Sequence, residues 1–219
     1  MICIPITTRS TEDAISEISS ASKHADIIEL RIDYIPELQD AERCIEESLK
    51  SKAKPVIVTN RPEREGGKFS GSEQDRLRLL QKAIDLEADY VDVEYDSIKQ
   101  IVRRKNSKVI ISYHNFKETP QNLSKIYDDI CQHKPDIVKI VTYANDITDN
   151  IRIFKLLNTA NIPIISFCMG ELGHISRILT RKFGGVLTFA SLERGKESAP
   201  GQLTVDELSR IYHFKNINK

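Results

Sequence analysis

Short runs rich in Val and Ile alternate, eight times over, with longer polar stretches of helical character, and this alternation limits the possible folds more than anything else in the chain. The runs read as strands are Ile2–Ile6, Asp26–Asp33, Val56–Asn60, Tyr90–Tyr95, Lys108–His114, Asp136–Tyr143, Ile162–Met169 and Val186–Leu192. Helices are expected near Thr11–Lys23, Leu38–Lys52, Glu73–Leu86, Ser97–Arg104, Pro120–His133, Asp146–Thr159, Leu172–Lys182 and Val205–Tyr212. Strands that alternate with helices pair in parallel, and a parallel sheet is covered by its crossover helices. Such strands are therefore near-continuously apolar, as these are. An open doubly wound sheet would show the same rhythm, but it usually carries a Gly-rich phosphate turn after its first strand. Here that turn is Thr7-Thr8-Arg9-Ser10, without glycine. The expected fold is therefore an α/β (β/α)8 TIM barrel, with residues 1–219 as a single catalytic domain, a size that suits one such barrel.

Local signals support the helix starts. Thr204 and Glu207 fit a capping box, and Thr119 before Pro120 fits an N-cap followed by a first-turn proline. The two longest connections, Arg61 to Ser72 and Glu193 to Leu203, each follow a strand, which places them at the C-terminal mouth where barrel active sites lie.

Charge and cysteine content exclude several function classes. Lys+Arg and Asp+Glu both number 32, which leaves no basic footprint for nucleic acid and no polybasic membrane anchor. No apolar run approaches the ~20 residues of a membrane span. The start, MICIPITT, lacks the pattern of an export signal, so a cytoplasmic location is expected. Cys3, Cys44, Cys131 and Cys168 form no C-x-x-C pair and are expected to be reduced. Cys131 and His133 stand two apart, but no second pair with ligand spacing accompanies them, so no metal site is expected.

Alternation within strands points to the chemistry. Side chains along a strand alternate in direction, so Glu29, Arg31 and Asp33 share one face, while Ile28, Leu30 and Ile32 share the other. If the apolar set meets the helices, the charged set points into the barrel. Asp92 and Glu94 alternate with Val91 and Val93, and Ser112 and His114 alternate with Ile111 and Tyr113, in the same way. Charges directed into a barrel must be paired, hydrated or functional. Glu29 and Arg31 either pair with each other or bind a substrate. Lys139 is the sharpest signal, a lone lysine among Ile137, Val138, Ile140 and Val141. Either it reaches water from a strand end, or burial frees its amine to attack a carbonyl. His114 ends the preceding strand with matching inward parity and can move protons near neutral pH. His24, His133 and His213 are expected at the surface, and His174 near the mouth.

At these residues the chain resembles type I 3-dehydroquinate dehydratase, the Schiff-base enzyme of the shikimate pathway. The similar segments are Glu29–Asp33, Arg61 through Gly67, Ser112–Phe116, Asp136–Lys139, Met169 through Arg177, and Ser198–Gln202. The resemblance implies a cofactor-free enzyme that acts on 3-dehydroquinate, with a homodimer as the expected assembly and no nucleic acid or membrane partner. It implies that Lys139 condenses with the substrate ketone and that His114 removes a C2 proton and then assists loss of the C1 hydroxyl as water. In the same pattern Glu65 orients His114, Arg177 clamps the carboxylate, and Glu29, Arg31 and Arg61 bind the ring hydroxyls. Ser198 and Gln202 belong to a closing Pro-Gly lid. The chain departs from the pattern at Leu192–Glu197, which is longer and more charged than usual and puts lid geometry in doubt. The rivals are a class I aldolase, another Schiff-base barrel, and a non-catalytic barrel that binds a small acid.

Overall fold

The computed structural model describes residues 1–213. Nine parallel strands form one sheet: β1 (Ile2–Ile6), β2 (Ile27–Arg31), β3 (Val56–Thr59), β4 (Tyr90–Glu94), β5 (Lys108–His114), β6 (Ile137–Tyr143), β7 (Ile164–Met169), β8 (Thr188–Ser191) and β9 (Leu203–Thr204). β1 to β7 pair in chain order, and β8 returns to β1, where Ile2 and Cys3 face Thr188 and Phe189. The curled sheet meets itself between β7 and β8, where the Val186 N–H donates to the Ile164 carbonyl at 2.9 Å. The helices are α1 (Thr11–Ala21), α2 (Leu38–Lys50), α3 (Glu73–Asp85), α4 (Leu123–Cys131), α5 (Asp149–Thr159), α6 (His174–Leu179) and α7 (Val205–His213). The fold is thus the expected eight-fold α/β barrel arrangement, with β9 as a short addition. Among the described residues no helix is long and apolar enough to cross a membrane.

Two apolar clusters follow from strand parity. Ile4, Ile28, Leu30, Val58, Val91, Val93 and Ile111 pack outward against the helices. Cys3, Ile27, Ile57, Ile110, Ile137, Ile165 and Phe189 fill the inside. Glu29 and Arg31 have the parity of Ile27, so they point inward, while Ile32 belongs with Ile28 and Leu30 in the outer cluster. Register then stacks the interior: Glu94 lies opposite Ser112, and Ser112 opposite Lys139.

Some local expectations are corrected. Residues Ser97–Arg104 hold one 3-10 turn, Ile98–Gln100, in place of a helix. The Gln81 side chain caps that segment by bonding both the N–H and the carbonyl of Val102, at 2.9 and 3.0 Å. Thr119 does not cap a helix. Its hydroxyl donates to the Tyr143 carbonyl at 2.8 Å, and α4 starts only at Leu123. The Thr204–Glu207 box does form, with Thr204 N–H donating to Glu207 at 2.9 Å and Glu207 N–H to the Thr204 hydroxyl at 3.2 Å. His24 is exposed, but His133 is half-buried with its ring edge-on to Tyr95, 5.5 Å between centroids. The side chain of His213 lies outside the described residues. All four cysteines are free, and Cys131 is the one that is half-buried.

Candidate active site at the barrel mouth

The C-terminal ends of the strands surround a cavity that opens at the barrel mouth. Its lining includes Glu29, Arg31, Arg61, Glu65, His114, Lys139, Arg177 and Ser198. Eight of the nine candidate residues read from the sequence therefore converge on one cavity. The ninth, Gln202, stands just behind: its Oε1 accepts from the Ser198 N–H at 2.7 Å and from the Ser198 hydroxyl at 3.0 Å.

Lys139 is the third residue of β6, one layer below the rim, and is 5% exposed. Its Nζ lies 2.8 Å from Asp92 Oδ2, 3.3 Å from Glu29 Oε1 and 4.6 Å from the centre of the Phe189 ring. This corrects the picture of a lysine alone among aliphatics: its strand neighbours are aliphatic, but strands β2 and β4 bring two carboxylates to the amine. Glu29 is held in turn by the Thr59 hydroxyl, which donates at 3.0 Å.

Arg61 follows β3 and is held from three sides. Nη1 is 2.5 Å from Glu94 Oε1 and 2.7 Å from the Ser112 hydroxyl, and Nη2 is 2.7 Å from Asp92 Oδ2. The last contact is an ion pair without hydrogen-bond alignment, since Nη2 has no hydrogen-bond partner. Burial alone would raise the Asp92 carboxyl, but the adjacent Arg61 and Lys139 cations outweigh it and hold Asp92 well below the usual carboxylate range. Arg31 pairs with Asp33, at 2.8 and 2.7 Å, and not with Glu29. A third Asp33 bond, from the Lys68 N–H at 3.0 Å, ties that pair to the loop after β3.

The same loop delivers Glu65, whose Oε2 lies 2.8 Å from His114 Nδ1. Gly66 makes this turn with φ 74°, against the Phe116 ring. Burial, with the nearby Arg61 and Lys139 cations, drives the His114 imidazole well below 6.5 and keeps it uncharged. Burial also pushes the Glu65 carboxyl up to about 8, although Arg61 opposes it. Both directions put the proton shared between Nδ1 and Oε2 on the carboxyl until Glu65 ionises.

Arg177, on α6, is 1% exposed and lies over the Phe167 ring at 4.4 Å. Its hydrogen bond is a long one, from Nη2 to the Pro200 carbonyl at 3.4 Å, and Nε has no partner. Burial without a counter-ion pushes this guanidinium down to about 10. Among the described residues no carboxylate pairs with it, so a buried cation faces the cavity with donors to spare. The Pro200 carbonyl belongs to the Ser198–Gln202 loop and also accepts from the Gly170 N–H at 3.2 Å, which holds the loop over the mouth. His174 is half-buried at the start of α6, against Gly201.

The reading of inward parity located the acids Asp92 and Glu94 but not their function as partners of Lys139 and Arg61. The apolar lining of Phe116, Val141, Phe167, Met169 and Phe189 carries no sequence signal that separates it from core. Arg76 was also missed, and it is fully buried against Glu94. Its signal was a charge in phase with the apolar stripe of α3, four and seven residues before Leu80 and Ala83.

Comparison with known proteins agrees with this architecture. The profile of the family "Type I 3-dehydroquinase" matches residues 2–219. A 3-dehydroquinate dehydratase of Methanocaldococcus jannaschii is 38% identical over 99% of this chain and 100% of its own length. The chloroplastic bifunctional 3-dehydroquinate dehydratase/shikimate dehydrogenase of Arabidopsis thaliana is 40% identical over 99% of this chain, which spans 37% of that protein. The crystal structure of the 3-dehydroquinate dehydratase from Aquifex aeolicus superposes with a TM-score of 0.82, at 30% identity and 98% coverage of both chains. The chain belongs to the type I 3-dehydroquinase family, lyases that dehydrate 3-dehydroquinate in the shikimate pathway.

Proposed function

We propose that the chain converts 3-dehydroquinate to 3-dehydroshikimate through a Schiff base on Lys139. The observation that carries this reading is the amine of Lys139, 5% exposed on the wall of a cavity that also presents His114 and an unpaired Arg177. The carboxylate of the substrate meets the Arg177 guanidinium, whose fork suits two parallel hydrogen bonds. The ring ketone then lies toward Nζ, and Asp92 and Glu29 take up the charge of the amine and of the imine that replaces it. Loss of water from the condensation of amine and ketone gives the protonated imine, an electron sink for a carbanion at the adjacent carbon.

Once the Glu65 carboxyl, raised by burial to about 8, gives up its proton, Nδ1 of His114 keeps its hydrogen and Nε2 offers a lone pair. That nitrogen takes the C2 proton; the electrons move toward the imine and return to expel the C1 hydroxyl, which leaves as water with the same proton. Hydrolysis of the imine frees the product and restores Lys139. Arg31, Arg61 and Glu29 face the ring hydroxyls, and Ser198 with Gln202 closes the loop over an imine that bulk water would otherwise hydrolyse. The neutral balance of charge and the family both fit a small-molecule substrate, with a homodimer as the proposed assembly, one barrel domain as the catalytic unit, the cytoplasm as its place and no cofactor in the reaction. The lysine and its partners also suit a class I aldolase, but an unpaired cation sized for one carboxylate favours the dehydratase.

The test combines trapping with turnover. Borohydride with substrate is expected to fix an adduct on Lys139, read by mass spectrometry, and Lys139→Met is expected to yield none. His114→Ala is expected to retain a trapped adduct while enone absorbance stays nearly flat, since a positioned acid–base group contributes about 10²–10⁴-fold. A trapped adduct in Lys139→Met, or normal enone formation in His114→Ala, would overturn the assignment.

A further inference from the structure

Arg76 lies outside the cavity, on the first turn of α3, and has 0% exposure. A guanidinium in that position is costly unless each face is paired. Nη1 contacts Glu94 Oε2 and donates to the Asn60 carbonyl at 2.9 Å. Nη2 reaches Glu73 at 2.7 Å and the Ser97 hydroxyl at 3.1 Å, and Nε reaches Glu73 at 2.9 Å. Glu94 is also fully buried, and its other oxygen holds Arg61 at 2.5 Å. Arg61 touches Asp92, and Asp92 touches Lys139. A continuous line of charge therefore runs from the outer helix layer to the reactive amine: Arg76, Glu94, Arg61, Asp92, Lys139.

We propose that Arg76 is a positioning residue: by balancing Glu94 it fixes Arg61 in place and sets the proton affinity of the pocket that contains Lys139 and His114. This rests on the Schiff-base reading given above. The charge balance argues for it. The inward acids are Glu29, Asp92 and Glu94, and the cations beside them are Lys139, Arg61 and Arg76. Without Arg76 these three inward acids face two cations, and Glu73, outside the barrel wall, loses its partner as well. The groups that face Glu94 are Arg61 and Arg76, with Asp92 on its own strand and Glu65 across the loop, 3.8 Å from Arg61. Those that face Lys139 are Asp92, Glu29, His114 and, from β1, the thiol of Cys3. Burial already raises the Glu94 carboxyl against the pull of Arg61 and Arg76. Removal of one cation raises it further. As long as Glu94 stays ionised, its unbalanced charge makes the pocket keep its protons to higher pH; a Glu94 that took up a proton would cancel the loss and leave the limb in place. An amine that must lose a proton to attack, and an imidazole that must be free to accept one, are both delayed.

The experiment measures kcat/KM against pH for the full chain and for Arg76→Met, Arg76→Gln and Arg76→Lys, with thermal unfolding as the stability readout. Loss of an opposite charge within ~4–6 Å moves a titration by about 1–3 pH units, and Arg76 has that separation from Glu94, not from Lys139 or His114. The rising limb is therefore expected to move up measurably, by less than that amount, in Arg76→Met and Arg76→Gln, with the rate recovering at high pH. Arg76→Lys is expected to return the limb to its wild-type position even if its Tm falls. If Arg76 only supports packing, all three variants lose Tm and the limb stays where it is; that result overturns the proposal. If neither neutral variant folds, the Lys variant decides, because a displaced limb there is equally fatal. Borohydride trapping in the wild type separates the two readings: no adduct removes the Schiff base itself, whereas an adduct with unmoved limbs removes the positioning by Arg76 alone.

Discussion

Lys139, His114 and Arg177 show three ways in which a barrel handles a buried charge-bearing side chain. Lys139 is paired twice, by Asp92 and Glu29. His114 is kept uncharged by burial and by cations. Arg177 has no carboxylate partner among the described residues. The third is the least stable arrangement and thus the most telling, because a buried cation without its counter-ion persists where a ligand is to supply one. Arg177→Met is expected to lower kcat/KM by about 2–5 kcal/mol, mostly through KM. Arg177→Lys is expected to recover only part, since one ammonium cannot reproduce a two-pronged contact. Steady-state kinetics check this, and wild-type KM in Arg177→Lys would take the residue out of the site. The pairing of Lys139 also revises what its removal does. A variant that lacks the amine leaves two buried acids unbalanced, so Lys139→Met is expected to lose stability as well as imine formation.

At the scale of elements, the loop from Arg61 to Ser72 does most to assemble the site, because it carries Arg61 and Glu65 and ties Asp33 to itself through Lys68. Its close folding depends on Gly67. A Cβ there would lie 1.9 Å from the Arg61 carbonyl oxygen, so the backbone must move. Gly67→Ala is expected to cost about 1–3 kcal/mol from overpacking and to lower kcat/KM by displacing Glu65 from His114. Gly195→Ala is the control. That glycine, unlike Gly67, has a positive φ, 88°, but a Cβ would meet nothing within 4 Å, so only backbone strain of about 1–2 kcal/mol is expected, with kcat/KM retained. Unfolding and rate measurements on the two variants separate steric from conformational cost. The charged stretch before the lid is anchored at Lys196, which lies 3.0 Å from Glu193 and 3.5 Å from Glu17 on α1. Its added charges thus link the lid base to the barrel wall.

At the scale of the whole molecule, an interior that holds several charges makes stability depend on pH. Asp92 is held well below the usual range by Arg61 and Lys139, against the opposing effect of burial. A carboxylate depressed in the folded state stabilises the fold fully above its unfolded value, about 3.9, and that contribution is lost as pH falls below it. Asp92→Asn is therefore expected to be less stable at neutral pH by about 3–5 kcal/mol, since it leaves Arg61 and Lys139 without their shared partner. The gap is expected to narrow on acidification below that value. Unfolding curves at a series of pH values test this, and a constant gap down to strong acid would show that Asp92 contributes by packing and not by charge.

Periodicity was enough to read eight strands, their parallel order and the inward faces of Glu29, Asp92, Ser112 and Lys139, because the two-residue repeat of a strand and the demand that apolar faces be covered are local rules. The same rules misread Ser97–Arg104, where the contact with Gln81 replaces a helix, and they could not limit Thr119 to a bond with β6. Partnerships were beyond them. Lys139 and Glu29 are 110 residues apart in the chain, Arg61 and Glu94 are 33 apart, and only the curl of the sheet brings them to hydrogen-bond distance. The same holds for Arg76, which is an ordinary helix arginine by composition and becomes a buried charge only because α3 packs against β4. Charge energetics depend on separation in space and on exclusion of water, and neither is a property of the chain until it has closed into a barrel.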